Sequence, residues 1–475
     1  MSDPFRLSEA RDAASRYGWR EAFDLYAAAD AAEPLGPDEL NQMAECAWWI
    51  GKMRHCMALR ARGYAAYLKR GNSLRAARVA LDLAEHYADL AELADAEAWL
   101  QNAARLLDRE PEGAVHGWLH FELGILARYE GDLESAVLHA KQAAALGATY
   151  GDQDLFALGH AFHGIGLVFT EEPDQGLPMV EEATEGAVAG ELGARATGMI
   201  YCIMISVNAQ LADWQRAGHW AEAARRWCDR QAINGFPGIC RVHRAEILRL
   251  RGHLSEAEEE AREATTELGS FNLMFSALAF RELGEVRLKM GDVDGAEEAF
   301  QQAAEMGVTP QPGLAQALVV RGRPEAAATS LRRVLGSKGM GPLDRAKLLP
   351  TQLEIAVQLG DLPTARAAVT ELAEIASNHR TTALRAGADA GAATVLHAQG
   401  DFPAAEVAAR RAYELYTEID LTYEAARVEE LLARIHQGLG NTDQALARNA
   451  AALATFERIG AVLDARRVRE ALAPA

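Results

Sequence analysis

Two residue pairs in this chain carry metal-ligand chemistry at helical spacing. His160 and His163 lie three apart, and so do Cys240 and His243. On a helix that spacing puts both side chains on one face. Imidazole and thiolate there supply two ligands of a tetrahedral site, and another helix would have to bring the rest. The expectation is that these histidines are packing or groove residues and that the chain needs no metal or cofactor. Cys202 and Cys228 sit in apolar contexts and read as buried small hydrophobes; redox chemistry would require exposure and a lowered pKa. The cysteines number five, with no Cys-x-x-Cys, so reduced thiols in a reducing compartment are expected. No His-Glu-x-x-His, Gly-x-Ser-x-Gly or Gly-x-Gly-x-x-Gly occurs, and Gly51-Lys52 runs into Met53 without a phosphate loop. No catalytic residue is assigned, and the chain is expected not to be an enzyme.

The elements that would position such residues are helices in tandem. A glycine with a small residue five positions later occurs at Gly51, Gly131, Gly252, Gly291, Gly322, Gly360, Gly400 and Gly440. Degenerate copies at Tyr17, Ala91, Glu171 and Ala212 fill the gaps. From Gly51 onward the steps are 38 to 41 residues, with one exception of 31 between Gly291 and Gly322. Each anchor suits a left-handed turn ending one helix. Asp132, Asp292, Asp361, Asp401 and Asn441 are placed to cap the next, and Pro324, Pro363 and Pro403 fit its first turn. The fold class predicted is all-α, a right-handed solenoid superhelix of about twelve antiparallel hairpins.

Leu283, Gly284, Gly291, Ala296, Phe300 and Ala303 resemble the tetratricopeptide repeat pattern, as do Leu123, Gly124, Gly131, Ala136 and Ala143. The period is about six residues longer than that family's unit. Long periods of this kind resemble the sensor regions of LuxR- and MalT-type transcription regulators, and the stretch from Gly238 to Leu248 is similar to that subgroup. Those regulators usually carry an ATPase domain before the repeats and a helix-turn-helix after them. Neither is found here, so direct transcription control by this chain alone is not expected.

Composition sets further bounds. The net charge is −20, from 48 basic and 68 acidic residues, so the bulk field repels a phosphate backbone and no direct nucleic-acid binding is expected. The N-terminus lacks a signal-peptide pattern and no apolar run reaches membrane-spanning length, which predicts a cytoplasmic protein with no membrane contact. Prolines and glycines from Pro310 to Pro342 mark the short step. A boundary is predicted there, giving blocks 1–306 and 307–475, with a loop at 336–342. All eight tryptophans and all five cysteines precede residue 241, which favours the N-terminal block for a specialised surface. The run Glu256 to Glu263 reads as a solvated acidic face.

By the resemblance, first helices line a concave groove. The residues it transfers include Trp118, Phe121, Arg128, Tyr129, Ile165, Phe169, Met199, Cys202, Glu246 and Arg249, with Trp48 and Trp49 at the N-terminal end or in the cap. An apolar groove with sparse polar fixtures suits a protein or peptide partner, or a lipophilic small molecule. The expected function is a regulatory scaffold or sensor. The alternatives are a small-molecule or metal pocket in the N-terminal block, which would allow an enzyme, and a structural dimerisation scaffold in which the chain is a homodimer. The longer repeat can also rotate the transferred residues into the helix–helix core.

Overall fold

The computed structural model describes residues 4–169, 172–230, 239–337 and 340–473. The anchor Glu171, Gly238 of the subgroup stretch and Gly339 of the expected loop lie outside them. All regular structure among the described residues is helical, in 25 helices. In order they are α1 (Pro4–Ser15), α2 (Trp19–Ala32), α3 (Pro37–Trp49), α4 (Met53–Lys69), α5 (Ser73–Asp89), α6 (Leu93–Leu107), α7 (Ala114–Tyr129) and α8 (Leu133–Tyr150). Then follow α9 (Gln153–Phe169), α10 (Pro173–Ala189), α11 (Ala194–Gln210), α12 (Trp214–Arg230), α13 (Ile239–Leu250), α14 (Leu254–Leu268), α15 (Leu273–Met290) and α16 (Val293–Glu305). The series closes with α17 (Gly313–Val320), α18 (Pro324–Leu335), α19 (Pro342–Gln358), α20 (Leu362–His379), α21 (Thr382–Ala398), α22 (Phe402–Glu418), α23 (Thr422–Gly438), α24 (Thr442–Ile459) and α25 (Val462–Leu472). These make twelve hairpins and a final helix, an α-solenoid repeat array.

Among the described residues the turns inside the hairpins fall where the sequence frame puts them. Every described anchor has positive φ, the non-glycine ones included: Tyr17 at 61°, Ala91 at 57° and Ala212 at 56°. The degenerate copies therefore keep the backbone while losing the residue that favours it. Asp132, Asp292, Asp361 and Asp401 each accept a backbone N–H three residues on, closing the cap. Asn441 holds the same position but makes no side-chain cap bond. The residue five past the anchor is buried in nearly every hairpin, as at Cys56, Ala96, Ala257, Ala296, Ala365 and Ala405. Its small side chain lets the paired helices approach.

The described residues fall into two compact units. Unit 1 takes residues up to Val207 with Trp220–Cys240 and Thr266–Phe275. Unit 2 takes Asn208–His219, Arg241–Thr265 and Ser276 onward. The division follows spatial contact and passes through helices α11 to α15, whereas the boundary expected at 306/307 follows chain order and lies inside unit 2.

Unit 1 spends its tryptophans on its core. Trp19 stacks on Trp49 at 5.3 Å, Trp48 meets Trp49 edge-on at 4.8 Å, and Phe271 packs against Trp48 at 5.3 Å. Trp48 and Trp49 are buried, so they fill the interior rather than line an open groove. Beside them runs an ionic interior. Arg60, 2% exposed, bonds Asp82 and reaches Glu45 at 3.2 Å and Asn41 at 2.9 Å, while Arg195 pairs with Glu85 across 110 residues of sequence. In unit 2, Glu258 and Glu260 of the acidic run are held by Arg287, Arg241 and Arg244. That run is partly an ion-paired face, not a purely solvated one.

Candidate functional site

The expected groove residues of unit 1 are largely engaged with one another. Phe121 and Ile165 are 3% exposed and Cys202 is 8% exposed. Trp118 donates its Nε1–H to Asp152 at 2.8 Å, and the Arg78 guanidinium lies 3.8 Å over its ring. Phe121, Arg128, Ile165 and Phe169 do come together, around a crevice of about 20 Å³ between α7, α8 and α9. That holds about one water-sized probe. Arg128 is exposed at its rim, about 6 Å from the centres of the Phe162 and Phe169 rings. Tyr129 is half-buried, and burial pushes its phenol up. Met199 packs partly buried against the aromatic core.

In unit 2, Arg249 grips Glu282 with two bonds, Nε at 2.5 Å and Nη2 at 3.2 Å. Burial opposes the charge on Arg249, but Glu282 and then Glu285 raise its pKa. Glu246 adds a third carboxylate to that neighbourhood. Arg249 thus serves an internal bidentate pair.

In each metal-ligand pair one member has a partner of its own. His160 turns its Nε2 to Glu182 at 3.1 Å and stacks on Phe156. The His163 imidazole is held below its ordinary value by burial, then by Lys141 and His160. Cys240 lies with its Sγ 3.6 Å from that of Cys202. Burial, then Arg281, pushes His243 down to about 4. Among the described residues no group of three or more His, Cys, Asp or Glu side chains is arranged to hold a metal ion. None of their helices is long and apolar enough to cross a membrane.

The large opening lies in unit 2. A cavity of about 680 Å³ is lined from Leu288 to Arg467 by α15, α17, α19, α21, α23 and α25. The first five of these are the first helices of successive hairpins, α25 is the final helix, and only Tyr416 comes from a second helix, α22. The space exists because α21 turns Gly387, Ala390, Gly391 and Thr394 toward it, a small-residue stripe at helical spacing. Opposite charges come mainly from α23, whose Tyr423, Glu424, Arg427, Glu430, Leu431 and Arg434 share the lining.

Most of these charges neutralise one another. Arg427 reaches Glu354 at 2.6 Å and Glu424 at 3.5 Å, and these carboxylates raise its pKa, Glu354 foremost. Arg467 binds Glu430 and Asp464, each at 2.6 Å, and the Tyr423 hydroxyl donates to Asp464 at 3.0 Å. Two cations of the lining make no ion pair with these carboxylates. Lys289 places its Nζ 4.0 Å over the Tyr423 ring, and burial, then Arg249, holds its ammonium below the usual range. Arg434 lines the cavity and is exposed. Among the described residues neither has a carboxylate at ion-pair distance. The cavity can therefore take a ligand with apolar bulk and an anionic or hydrogen-bonding group. The signal available in the sequence was the coincidence of a Gly/Ala/Gly/Thr stripe on one first helix with charges at helical spacing on the next.

No protein-family model matches the sequence, and no curated protein matches it. Among solved structures, the chain is similar to the crystal structure of the APC/C hetero-tetramer Cut9–Hcn1. The TM-score is 0.42 and the identity 13%, over 97% of this chain and 95% of that one. A likeness of that size assigns no function.

Proposed function

We propose that this chain is a non-catalytic repeat scaffold that takes a segment of a protein or peptide partner into the unit 2 cavity. The carrying observation is the 680 Å³ space lined by the first helices of five successive hairpins and by the final helix, with Lys289 and Arg434 making no ion pair among its charges. Its size lies in the range of specific ligand sites. The long-period repeats resemble the sensor regions of LuxR- and MalT-type regulators, which supports a regulatory use of that binding.

Peptides selected on the intact chain from a random display library test this. Ala390→Trp intrudes on the cavity and should weaken the selected peptides by about tenfold or more. Val407→Trp, on a residue 61% exposed in α22, should leave them unchanged. Binding indifferent to Ala390→Trp refutes the reading. A second reading places the partner on the unit 1 first helices, favoured by the exposed Arg128 guanidinium between two phenylalanine rings; binding would then fall with Phe169→Ala. A structural dimer would instead reveal itself as a concentration-dependent mass without peptide selection.

A further inference from the structure

Unit 1 gathers three thiols from successive helices. Cys202 on α11 and Cys240 on α13 have Sγ atoms 3.6 Å apart, although 38 positions separate them in sequence. Cys228 on α12 lies near enough to act on Cys202 electrostatically. Met199, Trp220 and Ile239 belong to the partly buried apolar surroundings. Cys202 is 8% exposed and Cys240 is half-buried, so an oxidant meets Cys240 first. The other two cysteines differ. Cys56 is fully buried with its Sγ 3.5 Å from His86 Nε2, and Cys46 is buried. Among the described residues neither has a second thiol at hydrogen-bonding distance.

We propose that Cys202 and Cys240 form a reversible dithiol–disulfide site whose oxidant is a peroxide. The Cys240 thiolate attacks one oxygen of hydrogen peroxide and the O–O bond breaks. Cys240 becomes a sulfenic acid, and the departing hydroxide takes the proton released by the thiol, leaving as water. The Cys202 sulfur then attacks the Cys240 sulfur and the S–O bond breaks. The second hydroxide takes the Cys202 proton and leaves as water. Two thiols and one peroxide become one disulfide and two waters. The sulfurs must close from contact distance to about 2.0 Å. The order of events follows from environment: the hydrogen bond to Cys240, then burial, pushes the Cys202 thiol up, so it serves as the resolving group. The bridge ties α11 to α13, and thiol exchange restores the dithiol.

The test treats the reduced intact chain with hydrogen peroxide, blocks remaining thiols with an alkylating reagent and maps the peptides by mass. The expected result is loss of two hydrogen masses, a Cys202–Cys240 linkage, and full reversal by dithiothreitol. Cys228→Ala should form the same linkage at the parental rate. Cys202→Ala should lose it and hold a sulfenic acid on Cys240 that dimedone traps; circular dichroism checks its helicity, and the parental map decides if it misfolds. A linkage through Cys228, independent over-oxidation of both thiols, or alkylation of both without linkage overturns the proposal. So does stoichiometric zinc that shields the pair, since two thiolates at this separation also fit one metal with Zn–S about 2.3 Å.

Discussion

Replacing the alanines at the degenerate turns by glycine should stabilise the protein, by an amount that depends on what each methyl touches. Ala91 and Ala212 are held at φ of 57° and 56°. A non-glycine residue in that region costs about 1–2 kcal/mol. Glycine removes the penalty but gives back about 0.4–1 kcal/mol through the freer unfolded chain. The net gain for Ala91→Gly, at an exposed position, is therefore about 0.5–1 kcal/mol. Ala212 is half-buried and packs against the core containing Ala386, Ala409 and Leu432, so Ala212→Gly also loses a methyl contact and should gain less. The reverse changes calibrate the scale. Gly131→Ala, at φ 82° with open space around its Cβ, should cost about 1 kcal/mol from backbone alone. Gly252→Ala should cost more, because its Cβ would stand 2.9 Å from Ile459 Cγ2. Urea midpoints at constant slope read the changes. Hydrogen exchange localises them, since neighbouring repeats open in part independently. A lowered midpoint for Ala91→Gly would refute the argument, because residue 91 would then not occupy the turn that the forty-residue frame assigns it.

Two buried charges give further expectations. Arg60→Met leaves Asp82, with a side chain 7% exposed, short of its main partner and should cost about 3–5 kcal/mol in thermal or denaturant unfolding. Burial alone would raise the Asp82 carboxyl, but Arg60 and then Arg78 hold it below its ordinary value. That stability is present above the unfolded carboxylate pKa and is lost as pH falls through the lower folded value. Arg60→Met should therefore flatten the acid limb of the unfolding curve, and an unchanged limb would count against the pairing. Glu122 has the opposite sign. It is 4% exposed, and burial, then the Glu85 charge, pushes its carboxyl well up. A folded acid with a raised pKa binds more protons than the unfolded one, so its contribution declines as pH rises from about 4 toward the raised value. Glu122→Gln should stabilise the chain at neutral pH by about 1 kcal/mol or more and lose that advantage near pH 4. A pH-independent effect would mean a packing change instead.

The local frame was legible in the sequence because it depends on a few residues at fixed offsets. A left-handed turn, a carboxylate cap and a small residue five further on are neighbours along the chain, and even Tyr17, Ala91 and Ala212 adopt the turn. Asn441 shows the limit, since the residue type permits the cap bond without enforcing it. The placement of the inner face was not legible. It depends on which helices meet across long stretches of sequence, as where Arg195 finds Glu85 or Arg427 finds Glu354. Phe121, Ile165 and Cys202 pack inside, while Trp118 bonds Asp152 and Arg249 bonds Glu282. The acidic run failed for the same reason: the arginines that hold Glu258 and Glu260 come from neighbouring helices.

The uneven composition then takes on a different meaning. Tryptophan and cysteine concentrate in the N-terminal block, and that concentration suggested a specialised surface there. Yet large side chains on inward faces fill space. Trp48, Trp49 and Phe121 are buried, and the crevice beside Phe121 has room for about 20 Å³. The C-terminal block has no tryptophan or cysteine, and its small inward residues leave space. Gly387, Ala390, Gly391 and Thr394 on α21 border about 680 Å³. Four basic and four acidic side chains line that volume, so the cavity carries no share of the chain's charge of −20. An anionic group entering it meets Arg434 and Lys289 without the repulsion that the acidic exterior would exert at short range. On the proposed reading, the volume presented by the inward stripe, more than the rarity of its residues, decides where a partner segment enters, and one bulky residue at position 390 is enough to put that proposal at risk.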